Sequence, residues 1–143
     1  MRWLLLDEII SIEKGRRART RSHVPQAPEY SPELLMIEMM AQTAAVLMGA
    51  EKDFQEDLVF VKIDRSKFRK DFAAAGQIDI EARAETLRPE GAWFETTIDR
   101  AGERIAEARL MLLNVGHFAA GKTEPMTFHG NFMNHFKVRE KVQ

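Results

Sequence analysis

The chain has 143 residues, of which 45% are hydrophobic and 30% charged, with 21 Lys and Arg against 22 Asp and Glu. That length suits one domain around one core, while the apolar content and near-neutral balance exclude a disordered chain and argue against a nucleic-acid-binding domain. No cysteine is present, which excludes disulfides, thiolate metal sites and a Cys nucleophile.

The opening Met1-Arg2-Trp3-Leu4-Leu5-Leu6-Asp7-Glu8 holds only three consecutive Leu before acids appear, so neither a signal peptide nor a membrane span is expected, and the expected location is cytoplasmic. Leu4 to Glu13 is rich in Leu and Ile and reaches the turn signal Lys14-Gly15; Arg16 to Val24 then alternates charged and small residues, predicting strand, turn, strand. Pro25, Pro28 and Pro32 predict an extended loop, because each proline removes a backbone donor. Ser31 is placed to cap a helix, Pro32 suits its first turn, and Glu33 lies favourably against its dipole. Glu33 to Ala50 is rich in strong helix formers and apolar on every face, which predicts a helix buried all round. Its polar interior positions are Glu38, Gln42 and Thr43, and the first two, four apart, share a face.

After the acidic linker Glu51 to Glu56, Leu58 to Asp64 predicts a strand, followed by the basic cluster Lys67-Phe68-Arg69-Lys70. Ile78 to Glu85 alternates apolar and charged residues, the period of a sheet with one face in water. Glu90-Gly91 and Ala101-Gly102 supply turns around further strands at Trp93 to Asp99 and Ile105 to Val115. Two strands, a helix and four strands, with connections too short for parallel crossovers, give an α+β domain whose antiparallel sheet wraps the helix. That domain is expected over residues 1–115. Residues 116–143, with His117, His129 and His135 among Phe and Met of no clear period, are expected to be a tail packing on the domain or a partner. Gly121-Lys122-Thr123 lacks the first glycine of a phosphate loop and is not read as one.

Three stretches together resemble the hot-dog-fold β-hydroxyacyl-acyl-carrier-protein dehydratases of type II fatty acid synthesis and their relatives. Leu4-Leu5-Leu6-Asp7-Glu8-Ile9 is similar to the family's opening apolar segment. Ser31-Pro32-Glu33-Leu34-Leu35-Met36-Ile37-Glu38-Met39-Met40-Ala41-Gln42 is similar to its helix start, Pro-Gly-Val-Leu-x-x-Glu-x-x-Ala-Gln. Phe60-Val61-Lys62-Ile63-Asp64, running through Lys67-Phe68-Arg69-Lys70 to Gly76-Gln77-Ile78, is similar to its strand and basic turn. The resemblance spans residues 4–115 and implies a hot-dog fold in a homodimer or a higher oligomer of dimers, with a tunnel for an acyl-ACP or acyl-CoA thioester at the subunit interface. Neither a cofactor nor a metal is expected.

By this resemblance Glu38 is the catalytic carboxylate and His23 the candidate base, with Gln42 orienting Glu38 and the start of the helix, Glu33 and Leu34, holding the thioester through backbone N–H groups. Glu33 stands where the family has glycine. Counting back from Glu38 puts Val24, not His23, at the family's histidine position, so a bulge or an altered loop is needed to turn His23 inward; a solvent-facing strand histidine is the alternative. Lys67, Arg69 and Lys70 are expected to dock an acidic carrier protein, or else to form an ordinary solvated charge run. The expected function is dehydration of a β-hydroxyacyl thioester; thioester hydrolysis and an impaired binding or partner subunit are the alternatives. The strand at Trp93 to Ile98, or its neighbour, is expected to continue the sheet into a second subunit.

Overall fold

The computed structural model describes residues 4–26, 29–69, 76–116, 128 and 130–143. The chain runs β1 Leu6–Glu13, β2 Arg17–Val24, α1 Pro32–Ala50, β3 Asp57–Phe68, β4 Gly76–Ala84, β5 Gly91–Arg100, β6 Glu103–Gly116, α2 Gly130–His135 and α3 Val138–Lys141. The six strands form one antiparallel sheet in the order β1-β2-β4-β5-β6-β3, and α1 packs on strands across its whole width. This is the hot-dog arrangement that the resemblance implies. Lys70, His117, His129 and Gly121-Lys122-Thr123 lie outside the described residues.

α1 begins as its sequence dictates: the Ser31 side chain accepts a hydrogen bond from the Leu34 N–H, Pro32 occupies the first turn, and Glu33 adds a carboxylate there. By length and composition α1 is apolar enough to cross a membrane, but it lies against the sheet, with Met36, Met39, Met40, Val46 and Leu47 essentially without exposure. Burying a side chain of that size contributes about 1.5–3 kcal/mol. The sheet supplies Ile9, Ile12, Ile78, Ile80, Phe94, Ile98 and Leu110 to the same cluster. Contrary to the expectation of all-round burial, one stripe of α1 is not sealed. Leu34 is 54% exposed, and Ile37, Glu38, Gln42 and Ala45 are half-buried.

Two further expectations are corrected. β3 does not end at Asp64; its ladder with β6 continues to Phe68↔Ala106, absorbing irregularities at Phe60/Lys62 and Ile63/Arg65, so Lys67 is a strand residue. β5 cannot carry the sheet into another subunit, because it pairs with β4 on one side and β6 on the other, and both of those neighbours are interior as well. The edges are β1 and β3. The described residues of the C-terminal segment lie against the domain. Phe128, Phe136 and Val138 are buried, Phe54, Phe128, Phe132 and Phe136 form a chain of ring contacts, and Val142 bridges to Ile12 of β1, where the Gln143 N–H donates to the Ile12 carbonyl at 2.7 Å.

Candidate functional site

The alternation in β2 decides what can face the helix. Ala18, Thr20, Ser22 and Val24 are buried, while Arg17, Arg19, Arg21 and His23 take the other face. Ser22 and Val24 thus stand at the inward positions nearest the loop that leads into α1. His23 is on the outer face, its side chain 59% exposed and its Nδ1 2.6 Å from Asp7 Oδ2.

On α1, Glu38 and Gln42 occupy the unsealed stripe. The Gln42 Nε2–H donates to Glu38 Oε1 at 3.1 Å, and Gln42 Oε1 accepts from the Leu5 N–H at 3.0 Å. Ser22, buried, in turn donates its hydroxyl to the Leu5 carbonyl. Burial pushes the Glu38 carboxyl above the ordinary carboxylate range, and the Gln42 hydrogen bond opposes this more weakly. A carboxyl in these surroundings holds its proton more tightly than one in water, which is the property of a general acid.

The structure therefore brings Glu38 and Gln42 together as expected from their spacing, and it places His23 on the opposite side of the sheet from them. Glu33 and Leu34 lie exposed at the start of α1. The Leu34 N–H, expected to polarise a carbonyl, is engaged by Ser31 Oγ at 3.2 Å. Lys67 and Arg69 line an open cleft of about 210 Å³ with Phe68 and Arg104, and carboxylates offset the charge there: Arg69 lies 2.9 Å from Glu103 and Arg104 2.6 Å from Asp99. Two participants were not singled out from sequence, the Leu5 backbone and Ser22. The strict alternation of Arg17 to Val24 is the signal that could have shown Ser22 facing inward and His23 outward.

Residues 1–121 match the model of the ApeP-like family, described as ApeP dehydratase. The chain is 32% identical over 124 residues to the 3-hydroxyacyl-acyl-carrier-protein dehydratase FabZ of a Polaromonas strain, covering 76% of this chain and 84% of that protein. Among solved structures it is similar to the dehydratase heterocomplex ApeI:P of Xenorhabdus doucetiae, with a TM-score of 0.65 at 18% identity over 78% of this chain and 83% of that one. It is also similar to a putative esterase of Mycobacterium tuberculosis, with a TM-score of 0.63 at 14% identity over 78% and 93%. The two structural likenesses establish the fold.

Proposed function

Because the chain belongs to the ApeP-like dehydratase family, we propose that it removes water from a 3-hydroxyacyl thioester carried by an acyl carrier protein or coenzyme A. The observation that carries this reading is Glu38, a half-buried carboxyl with a raised pKa on the one stripe of α1 that the chain's own sheet leaves open. In the reaction a base takes the proton α to the thioester, the electron pair forms the carbon–carbon double bond, and the β-hydroxyl leaves as water once an acid has protonated it. Glu38 is the acid. The N–H groups of Glu33 and Leu34 at the start of α1 receive the charge that develops on the thioester carbonyl; for Leu34 the Ser31 hydroxyl must give way to the substrate. A carboxyl that holds its proton more tightly than one in water fits this role better than it fits activation of water for thioester hydrolysis.

The working unit is two chains. β3 is an open edge whose inward side chains Phe60 and Ile63 are 36% and 40% exposed, a break in the core that a second subunit laid along β3 would close. Lys67, Arg69 and Lys70 receive the acidic carrier. A second reading is favoured by one observation: Val24 faces inward where the family's pattern calls for histidine, and His23 faces out. In that reading this chain contributes Glu38 to a mixed dimer and a different, histidine-bearing dehydratase chain supplies the base.

The test is the purified chain with a 3-hydroxyacyl thioester on carrier protein and on coenzyme A, with the unsaturated thioester measured by mass spectrometry. Turnover by the chain alone that is lost in His23→Ala supports the homodimer with His23 as base. Turnover only after adding a histidine-bearing partner supports the mixed dimer. No turnover in either arrangement overturns the dehydratase reading.

A further inference from the structure

The hydrogen bonds around Glu38 run in one direction. A backbone N–H can only donate, so the Leu5 N–H, 3.0 Å from the Gln42 side chain, fixes which end of that amide is oxygen. The other end, Nε2, then points at Glu38 Oε1 and can only donate to it. A carbonyl can only accept, so the Ser22 hydroxyl must donate to the Leu5 carbonyl. Leu5 is thereby held at both of its backbone polar groups, immediately before β1 begins, and Ser22 has no measurable exposure.

We infer that Ser22 and the Leu5 backbone are the positioning device for Glu38: they lock the Gln42 amide in one orientation, so that Oε1 of Glu38 is always an acceptor and Oε2 is the oxygen that carries and releases the proton. Ser22 and Gln42 are positioning residues in this arrangement. Were the amide to turn over, its oxygen would face the carboxyl and repel the ionised form. The inference rests on the proposed role of Glu38 as the acid, and it assigns that role to one atom.

Among the described residues no other titratable group moves the Glu38 carboxyl. The inward side chains of the strands packed on α1 are Leu6, Ile9 and Ile12 of β1, Ala18, Thr20, Ser22 and Val24 of β2, and mainly aliphatic residues, Phe, Ser or Thr on β3 to β6, where Asp57, buried at the start of β3, is the ionisable exception and is not among the causes that move the Glu38 carboxyl. On α1 itself the other carboxylate is Glu33, exposed in the first turn. Burial and the Gln42 amide are the two influences on Glu38, and they oppose each other.

The experiment follows the Glu38 side-chain carboxyl carbon by NMR through a pH titration of the labelled whole chain, without substrate. In Gln42→Leu and Ser22→Ala the midpoint should rise above that of wild type, because the donor that lowers it is lost or loosened. Ser22→Thr, which keeps the hydroxyl, should return it towards the wild-type position. Thr20→Val is the control, since that buried hydroxyl is bonded to Thr43 at 2.7 Å and takes no part in the relay; its midpoint should stay with wild type. A Ser22→Ala midpoint identical to wild type overturns the inference. Should Ser22→Ala not fold, hydrogen exchange in the wild type decides: the Leu5 amide should exchange slowly, and exchange at the rate of an open chain overturns the inference. With substrate, the variants should lose kcat, up to about a hundredfold for a misdirected acid, at little change in KM. The limb of the rate profile should move with the NMR midpoint. If the midpoint moves and the rate profile does not, the relay stands and Glu38 is not the acid.

Discussion

Replacing Glu38 by Gln separates chemistry from folding. The substitution keeps the volume of the side chain, and its carbonyl can still accept the Gln42 N–H that now bonds to Glu38 Oε1. What it removes is an exchangeable proton. Loss of a positioned general acid costs about 10²- to 10⁴-fold, so turnover of a 3-hydroxyacyl thioester should fall within that range with KM little changed. Stability should respond in the opposite sense. The native pKa of Glu38 is raised by burial, so the folded chain binds the proton more tightly than the unfolded one. Wild type is therefore at its full stability below the ordinary glutamate pKa and loses stability as pH rises from that value through the raised one, whereas the variant stays level over this window. Each tenfold strengthening of proton binding on folding corresponds to about 1.4 kcal/mol lost once both states are ionised. For each such tenfold step a urea slope of about 1–3 kcal/mol per molar gives a midpoint difference of at most about 0.5–1.4 M in favour of the variant at neutral pH, reduced by the solvent that still reaches Glu38, and none in acid. Urea titrations at the two pH values, at fixed protein concentration, measure it. A variant less stable than wild type at neutral pH, or one with undiminished turnover, refutes the assignment.

Ile63→Asp on the open edge should convert a two-chain assembly to monomer by light scattering, whereas the same change at Thr97, on the outer face of interior strand β5, should leave assembly intact. Reversing the charges of Lys67, Arg69 and Lys70 should slow association with an acidic carrier and weaken its salt dependence, with little effect on turnover of the coenzyme A thioester. Gly91→Ala should destabilise by about 1–3 kcal/mol in the same denaturant assay, because its Cβ would lie 2.7 Å from the Leu112 carbonyl oxygen, a backbone atom held in the β6 ladder.

What the sequence made legible was local. Ser31-Pro32 marked the start of α1 to the residue, the alternation of Ile78 to Glu85 gave β4, and Ala101-Gly102 marked a hairpin whose two residues have φ of 49° and 82°, the left-handed pair such a turn requires. Edge and interior were not legible, because the pairing of β3 with β6 joins segments about fifty residues apart and no local pattern records it. The Glu38–Gln42 contact followed from helical spacing. Its anchor at Leu5 did not, since a backbone donor leaves no mark in composition. The C-terminal segment held an unread signal: Phe128, Phe132 and Phe136 recur every fourth residue and form the ring chain that packs on Phe54.

The inequality of the two sheet edges sets how far association can run. At β1, α3 and the Val142 bridge lie against the strand, so a second chain arriving there meets a position already taken. At β3 nothing of the described chain intervenes. A building block that accepts neighbours at both ends makes a filament, whereas one that accepts a neighbour at a single end is finished after one addition. Because the C-terminal residues occupy the Ile12 end of β1, the pairing proposed through β3 would be self-terminating, and loss of those few residues would turn a closed pair into a unit capable of open-ended growth.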